Sequence, residues 1–300
     1  MNKQSFALLF TGIIGAATLT LSVQAQTKQS ITPKFISAKT GGFKFDANVK
    51  PFIPDGLGRS AKPDEGDSRG IVSDIDNRIP MLSKKYPWSA IGRVKGTTTN
   101  AESYHCTGTL IGEDLVLTNA HCVIDPETKE KSAKIQFMPN VIDGKYQDVA
   151  EVVDVIYGTD FKQGDQISPN DWAIMTINKP LGRKYGFLGM KPIPTSTLIN
   201  NPRSLFFVGY SKDFPTENYQ KYLTAGKGWT ASYEKGCSIT KEEAGFLFHD
   251  CATAGGSSGG ALIGIIGGEP YILALNNAEL GNITNFAVKI STIQEDLSQK

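Results

Sequence analysis

The chain has 300 residues, 31 Lys and Arg against 30 Asp and Glu, and 40% hydrophobic residues. The near balance of charge excludes a protein that binds polyanions through bulk charge, and the apolar content excludes a disordered chain. No basic stripe or aromatic platform suggests nucleic-acid binding.

In chain order, the first element is Met-Asn-Lys-Gln, then the apolar run Ser5 to Leu21 and the small-residue stretch Val23-Gln24-Ala25-Gln26. This pattern predicts a secretory signal peptide over 1–25, cut after Ala25. An uncleaved anchor wants about 20 strongly apolar residues; this run is short and holds Thr11, Thr18 and Thr20. No later stretch is long and apolar enough to span a bilayer, so the expected product is secreted or periplasmic, off the membrane after signal removal. Residues 26–70 lack apolar periodicity, and Pro51 to Gly70 is dense in Pro, Gly and charge, as in a linker or propeptide.

From about Tyr86 the texture changes to short Val-, Ile-, Leu- and Phe-rich runs bounded by Gly, Asn, Asp or Pro, which predict strands and turns. Examples are Tyr104 to Ile111, Leu115 to Thr118, Lys134 to Met138, Asp148 to Tyr157, Trp172 to Asn178, Ser204 to Tyr210, Ala261 to Ile266 and Tyr271 to Leu275. Only Ser291 to Gln299 reads as helix. An all-β chain of this kind can form one sandwich or two small closed barrels. The coil-like segment Leu181 to Arg203, with three prolines, is the natural boundary between two.

Cys106, Cys122, Cys237 and Cys251 are an even set in a chain bound for an oxidising compartment, which predicts disulfides without choosing among the three pairings. A zinc site is the weaker reading. His105-Cys106 and His121-Cys122 are adjacent dipeptides, whereas zinc ligands are usually spaced two to four residues apart.

Three segments carry chemistry. Thr118-Asn119-Ala120-His121-Cys122 puts a histidine straight after a strand, Asn170-Asp171-Trp172 puts an aspartate before an apolar strand, and Thr253 to Leu262 sets Ser257 and Ser258 among glycines. Hydrolysing a peptide bond without a metal needs a nucleophile, a base, a group that orients the base, and donors for the oxyanion. His105 and His249 lie in strand texture without a small-residue turn and read as structural. Taken alone, Asp171 would be a turn or cap residue and the glycines a flexible loop. Gly256 to Gly260 also fits the Gly-x-Ser-x-Gly elbow, but an elbow serine is followed by its acid and its histidine, and no histidine follows Ser258.

The order His121, Asp171, Ser258, with Ala-His-Cys, Asp-Trp-Ala and Ser-Gly-Gly around them, resembles the chymotrypsin-like serine peptidases over about residues 72 to 295. Asp250-Cys251-Ala252-Thr253, the Phe207-Val208-Gly209-Tyr210 step and Ser257, where animal enzymes carry aspartate, resemble the bacterial branch that includes the glutamyl endopeptidases. The resemblance implies an all-β fold of two six-stranded antiparallel barrels with a short C-terminal helix: residues 71–190 and 191–300, the active site between them. It implies disulfides Cys106–Cys122 and Cys237–Cys251. It also implies His121 as general base, Asp171 as its orienting group, Ser258 as nucleophile, and the N–H groups of Gly256 and Ser258 as the oxyanion hole.

The specificity pocket is expected from Ala252, Thr253, Leu275, Asn276, Asn277 and Ala278. Neither a carboxylate at Ala252 nor a histidine on the following strand is present, which predicts a preference for uncharged residues; Asp250 stands two residues out of register. The resemblance thus points to a secreted serine endopeptidase, a monomer acting on protein or peptide substrates without cofactor or metal. Ser257 removes the buried partner for a newly freed amino terminus, so activation by amino-terminal insertion is not expected. Residues 26 to about 69 are then a propeptide of another kind, or a permanent extension. The alternative function is a catalytically inactive binding protein of the same fold.

Overall fold

β-Branched and aromatic runs bounded by turn residues suit a pleated, half-buried surface, and they form strands spread through the described residues. The computed structural model describes residues 34–37, 48–60, 76–159, 161, 167–280 and 284–298. The expected signal peptide and residues 26–33, 38–47 and 61–70 of the expected linker lie outside the described residues. In chain order the strands are β1 (Lys34–Ser37), β2 (Ile79–Pro80), β3 (Ile91–Thr97), β4 (Ser103–Leu110), β5 (Leu115–Thr118), β6 (Lys134–Pro139), β7 (Ala150–Tyr157) and β8 (Ala173–Ile177). They continue with β9 (Gly189–Met190), β10 (Leu205–Gly209), β11 (Ser232–Cys237), β12 (Ile239–Glu243), β13 (Phe246–His249), β14 (Ala261–Ile266), β15 (Glu269–Leu280) and β16 (Thr284–Lys289). The helices are α1 (Gly182–Tyr185), α2 (Thr195–Asn200), α3 (Glu217–Gln220) and the C-terminal α4 (Ile290–Ser298).

Strands β3 to β8 close a six-stranded antiparallel barrel, because β7 pairs with β8 as well as with β6. β1 adds to it in parallel along Asp154 to Tyr157. Val94, Leu110, Val116, Phe137 and Met175 are fully buried on its inner face. In the second sheet the ladder runs β12, β13, β16, β15, β14, β10, β11, β2. Its core strands curl around Phe207, Leu247, Leu262 and Ala287. The two-barrel expectation holds, with one refinement: the second ladder is a half-barrel that stays open in hydrogen bonds. β11 and β12 are two parts of one run of chain interrupted at Ser238, and the Cys237–Cys251 disulfide sits at that corner. The segment 181–203, expected to be coil, holds α1, β9 and α2. Its prolines stand outside the helical turns, Pro194 directly before α2 and Pro202 after it.

The expected linker is docked where it is described. Phe52 and Phe187 exchange backbone hydrogen bonds of 3.0 Å each and stack with ring centroids 5.1 Å apart. Met190 N–H donates to Val49 O (3.2 Å), and Trp88 Nε1 donates to Ser60 O (3.1 Å). Arg59 pairs with Glu269 at 3.0 Å. Gly189 makes the approach possible, since a Cβ there would lie 2.6 Å from Val49 O.

Candidate active site

The strand β5 ends at Thr118, and the chain turns through a short 3-10 segment, Ala120–Cys122, that presents His121. The turn is tied back to β4 by the disulfide Cys106–Cys122. Asp171, fully buried, stands two residues before β8, which pairs with β5. Its Oδ2 lies 2.7 Å from His121 Nδ1, and its Oδ1 accepts the His121 backbone N–H at 2.9 Å. Asn119 Nδ2 donates to the Asp171 carbonyl at 2.6 Å. Burial by itself would depress the His121 imidazole, but the Asp171 charge and hydrogen bond outweigh it and hold the ring above its ordinary value of 6.5. With Nδ1–H donated to the carboxylate, the basic lone pair of the neutral ring is on Nε2.

Ser258 and His121 line one cleft of about 260 Å³, without a direct hydrogen bond between their side chains. Thr253, Ala254 and Gly255 form one wall, and Asn276, Asn277, Ala278 and Glu279 the other. Of the residues expected to form the specificity pocket, Ala252 and Leu275 do not line this cleft. Leu275 is fully buried in the core, and the Ala252 N–H donates to Glu234 Oε2 at 2.6 Å. Asp250 turns to the β11–β12 corner, where it accepts the Ser238 N–H at 2.6 Å.

The serine loop turns through Gly256 at φ +91°, where a Cβ would lie 2.3 Å from His105 Nε2 and 2.6 Å from Tyr210 O. Only glycine fits there. Ser257 Oγ donates to Ala254 O at 2.6 Å, and Asn276 Nδ2 donates to Ser257 O at 3.1 Å. Among the described residues no acceptor takes up the N–H of Gly256 or Ser258.

Three residues to which the sequence gives no part in the site stand close to the cleft. Glu279 is a charged group on its wall, and Glu234 holds the backbone beside it, its carboxyl raised by burial. His249, read as structural, is fully buried behind the cleft with Nε2 3.0 Å from Asn276 Oδ1. Since Asn276 Nδ2 is committed to Ser257 O, its Oδ1 is the acceptor, and His249 donates from Nε2. No sequence signal marks Glu234 or the place of His249, because each acts through a contact with a segment distant in the chain.

Burial pushes His249 down to about 4, against the pull of its Asn276 hydrogen bond. An unfolded histidine takes its proton near 6.5, so the buried ring contributes stability that is full above that pH and lost as pH falls through 4. The displacement corresponds to at most about 3 kcal/mol. Urea unfolding at pH 7 and pH 4.5 should show wild type losing about 2 kcal/mol more than His249→Gln on acidification. Equal losses would remove this account of His249.

Closed barrel, curled second sheet, C-terminal helix and a His–Asp pair facing a serine in one cleft are the chymotrypsin fold with the residue set of a serine protease. The family model described as Trypsin matches residues 80–291, and the chain belongs to that family. It is 24% identical to serine protease 23 of Homo sapiens over 270 residues, 80% of this chain and 63% of that protein. To serine protease 23 of Rattus norvegicus it is 25% identical over 213 residues, 63% of this chain and 49% of that one. The chain thus spans about half to two thirds of the length of these relatives. Among solved structures, a Glu endopeptidase in complex with MPD superposes with a TM-score of 0.59 at 21% identity, over 76% of this chain and 100% of that one. The protease Anisep from Arthrobacter nicotinovorans gives 0.54 at 18% identity, over 72% and 96%. Among the described residues no helix is long and apolar enough to cross a membrane.

Proposed function

We propose that this chain is an exported serine endopeptidase that works through an acyl-enzyme on Ser258. The observation that supports it best is the buried Asp171 carboxylate bonded to both the ring and the backbone of His121, in the cleft that Ser258 also lines. In this reading His121 Nε2 takes the Ser258 hydroxyl proton as Oγ attacks the scissile carbonyl. The carbonyl π electrons move onto oxygen, where the free N–H groups of Gly256 and Ser258 receive the charge. His121 then returns the proton to the leaving amine as the C–N bond breaks. Water repeats the sequence on the ester, releasing the acid and restoring Ser258. Asp171 fixes the tautomer and stabilises the imidazolium without taking the proton.

A fluorophosphonate probe tests the reading directly: wild type should label and Ser258→Ala should not. An unlabelled wild type would favour the inactive binding protein instead.

Specificity follows from the cleft walls. Thr253, Asn276, Asn277 and Ala278 offer polar neutral or small apolar surface, and the one carboxylate on the wall, Glu279, is exposed at its far end, so cleavage after uncharged residues is expected. Profiling on a peptide library checks this, and a dominant Arg or Lys signal at the cleaved position would overturn it. The amino-terminal part of the proposal is a signal peptide over 1–25 and a propeptide over 26 to about 69, with the mature domain spanning both barrels.

A further inference from the structure

We propose that Thr107 is a positioning residue for the oxyanion site, the side chain through which the first barrel sets the serine loop of the second. The inference rests on the peptidase reading above. Thr107 lies on β4, is fully buried, and uses every polar atom it has. Its Oγ1 donates to Gly256 O (2.9 Å) and accepts the Tyr210 N–H (2.8 Å). Its backbone N–H donates to Ser258 O (2.8 Å), and its carbonyl accepts Thr118 Oγ1 (2.8 Å).

These bonds complete a run of four consecutive carbonyls in the serine loop, each held from outside the loop. Gly255 O is held by Lys212 N–H (2.7 Å), Gly256 O by Thr107 Oγ1, Ser257 O by Asn276 Nδ2, and Ser258 O by Thr107 N–H. A peptide unit is planar and trans, so its N–H points opposite its C=O. Holding Gly255 O therefore aims the Gly256 N–H, and holding Ser257 O aims the Ser258 N–H.

The Thr107 hydroxyl governs this arrangement at two points. It fixes the peptide plane lying between the two donor planes. It also anchors Tyr210, two residues before the Lys212 amide that holds Gly255 O. No charged partner at position 257 contributes to this arrangement, since Ser257 Oγ is spent on Ala254 O within the loop. The two donor planes are held by neutral hydrogen bonds from within the second barrel, and Thr107 braces the plane between them from the first.

Thr107→Val keeps the shape and removes the hydroxyl, leaving the Gly256 carbonyl and the Tyr210 N–H buried without partners. Losing one oxyanion donor outright costs about 10²–10³ in kcat. A donor tilted rather than lost should cost about 10–100-fold in kcat, with KM within about threefold. Affinity for a peptidyl trifluoromethyl ketone, which mimics the tetrahedral species, should fall in parallel with kcat/KM. Thr107→Ser should restore kcat to within about threefold of wild type, because it keeps both hydrogen bonds. A hydroxyl that served packing alone would not tie the ketone affinity to kcat.

The proposal is overturned if Thr107→Val keeps wild-type kcat, if the loss falls on KM alone, or if Ser and Val are equally impaired. Should Thr107→Val not fold, Thr107→Ala replaces it, with about tenfold loss expected and the same ketone comparison. A wild type that neither hydrolyses peptides nor labels with a fluorophosphonate defeats the peptidase reading and this role with it. An active wild type with an indifferent Thr107 defeats this role alone.

Discussion

Ser258→Ala and His121→Ala will each reduce amide hydrolysis on the order of a million-fold, and the double variant will be scarcely worse than either single one. The two groups act as a unit: without the base the hydroxyl stays protonated, and without the hydroxyl the base has nothing to activate. What survives is the contribution of binding and the oxyanion donors, some 10³–10⁴ over water. Both changes leave the buried scaffold in place, because His121 sits at the cleft surface and the serine loop is held through its carbonyls. Steady-state kinetics on a cleaved library peptide, beside thermal melting of each variant, separate lost chemistry from lost folding. Turnover near wild type in either single variant would remove the assignment.

Asp171→Asn should cost about four powers of ten near neutral pH. The amide that replaces Oδ2 or Oδ1 offers a donor where His121 needs an acceptor, either at Nδ1 or at its backbone N–H. The ring is then driven to the tautomer with its proton on Nε2, where it cannot take one from Ser258. The substitution also removes the charge that holds His121 above 6.5. The base must be neutral, so activity is present above its pKa and lost below it. Wild-type kcat/KM should fall on acidification through a value above 6.5. The residual activity of Asp171→Asn should persist to lower pH. Rates from pH 5 to 9 check both the depth of the loss and the direction of the shift, and an acid limb that stays in place would detach Asp171 from His121.

Much of this was legible in the sequence for physical reasons that can be named. The strand runs declare themselves through β-branched residues and turn punctuation, and the tail helix through its break from that texture. His121, Asp171 and Ser258 stand beside short local patterns: a turn after a strand, an acid before one, and glycines around a nucleophile. What stayed hidden depends on contacts between distant strands. Thr107 is one threonine among many until β4 meets the loops at Tyr210 and Gly256. His249 looks like any strand histidine until Asn276 arrives from β15. The strand Leu275 to Ala278 reads as one pocket wall, but Leu275, paired with Ala261 and Val288 on the regular part of β15, is fully buried in the core, and the wall begins at Asn276, where the pairing with β16 becomes irregular. The linker text around Pro54 and Gly58 signals turns correctly, yet composition gives no sign of the surface that receives it.

The docked stretch around Phe52 has a thermodynamic consequence of its own. It reaches the fold at Phe187, Met190, Trp88 and Glu269, and no disulfide secures it, because all four cysteines are paired within the barrels. Cutting the chain between Ser60 and Asp76 would therefore turn this stretch from a tethered part of the protein into a bound peptide. Its contribution to stability would then obey mass action, growing as RT ln(1 + [L]/Kd) with the free peptide and vanishing on dilution. The same molecule would be one unit at high concentration and two at low, and its melting temperature would report which.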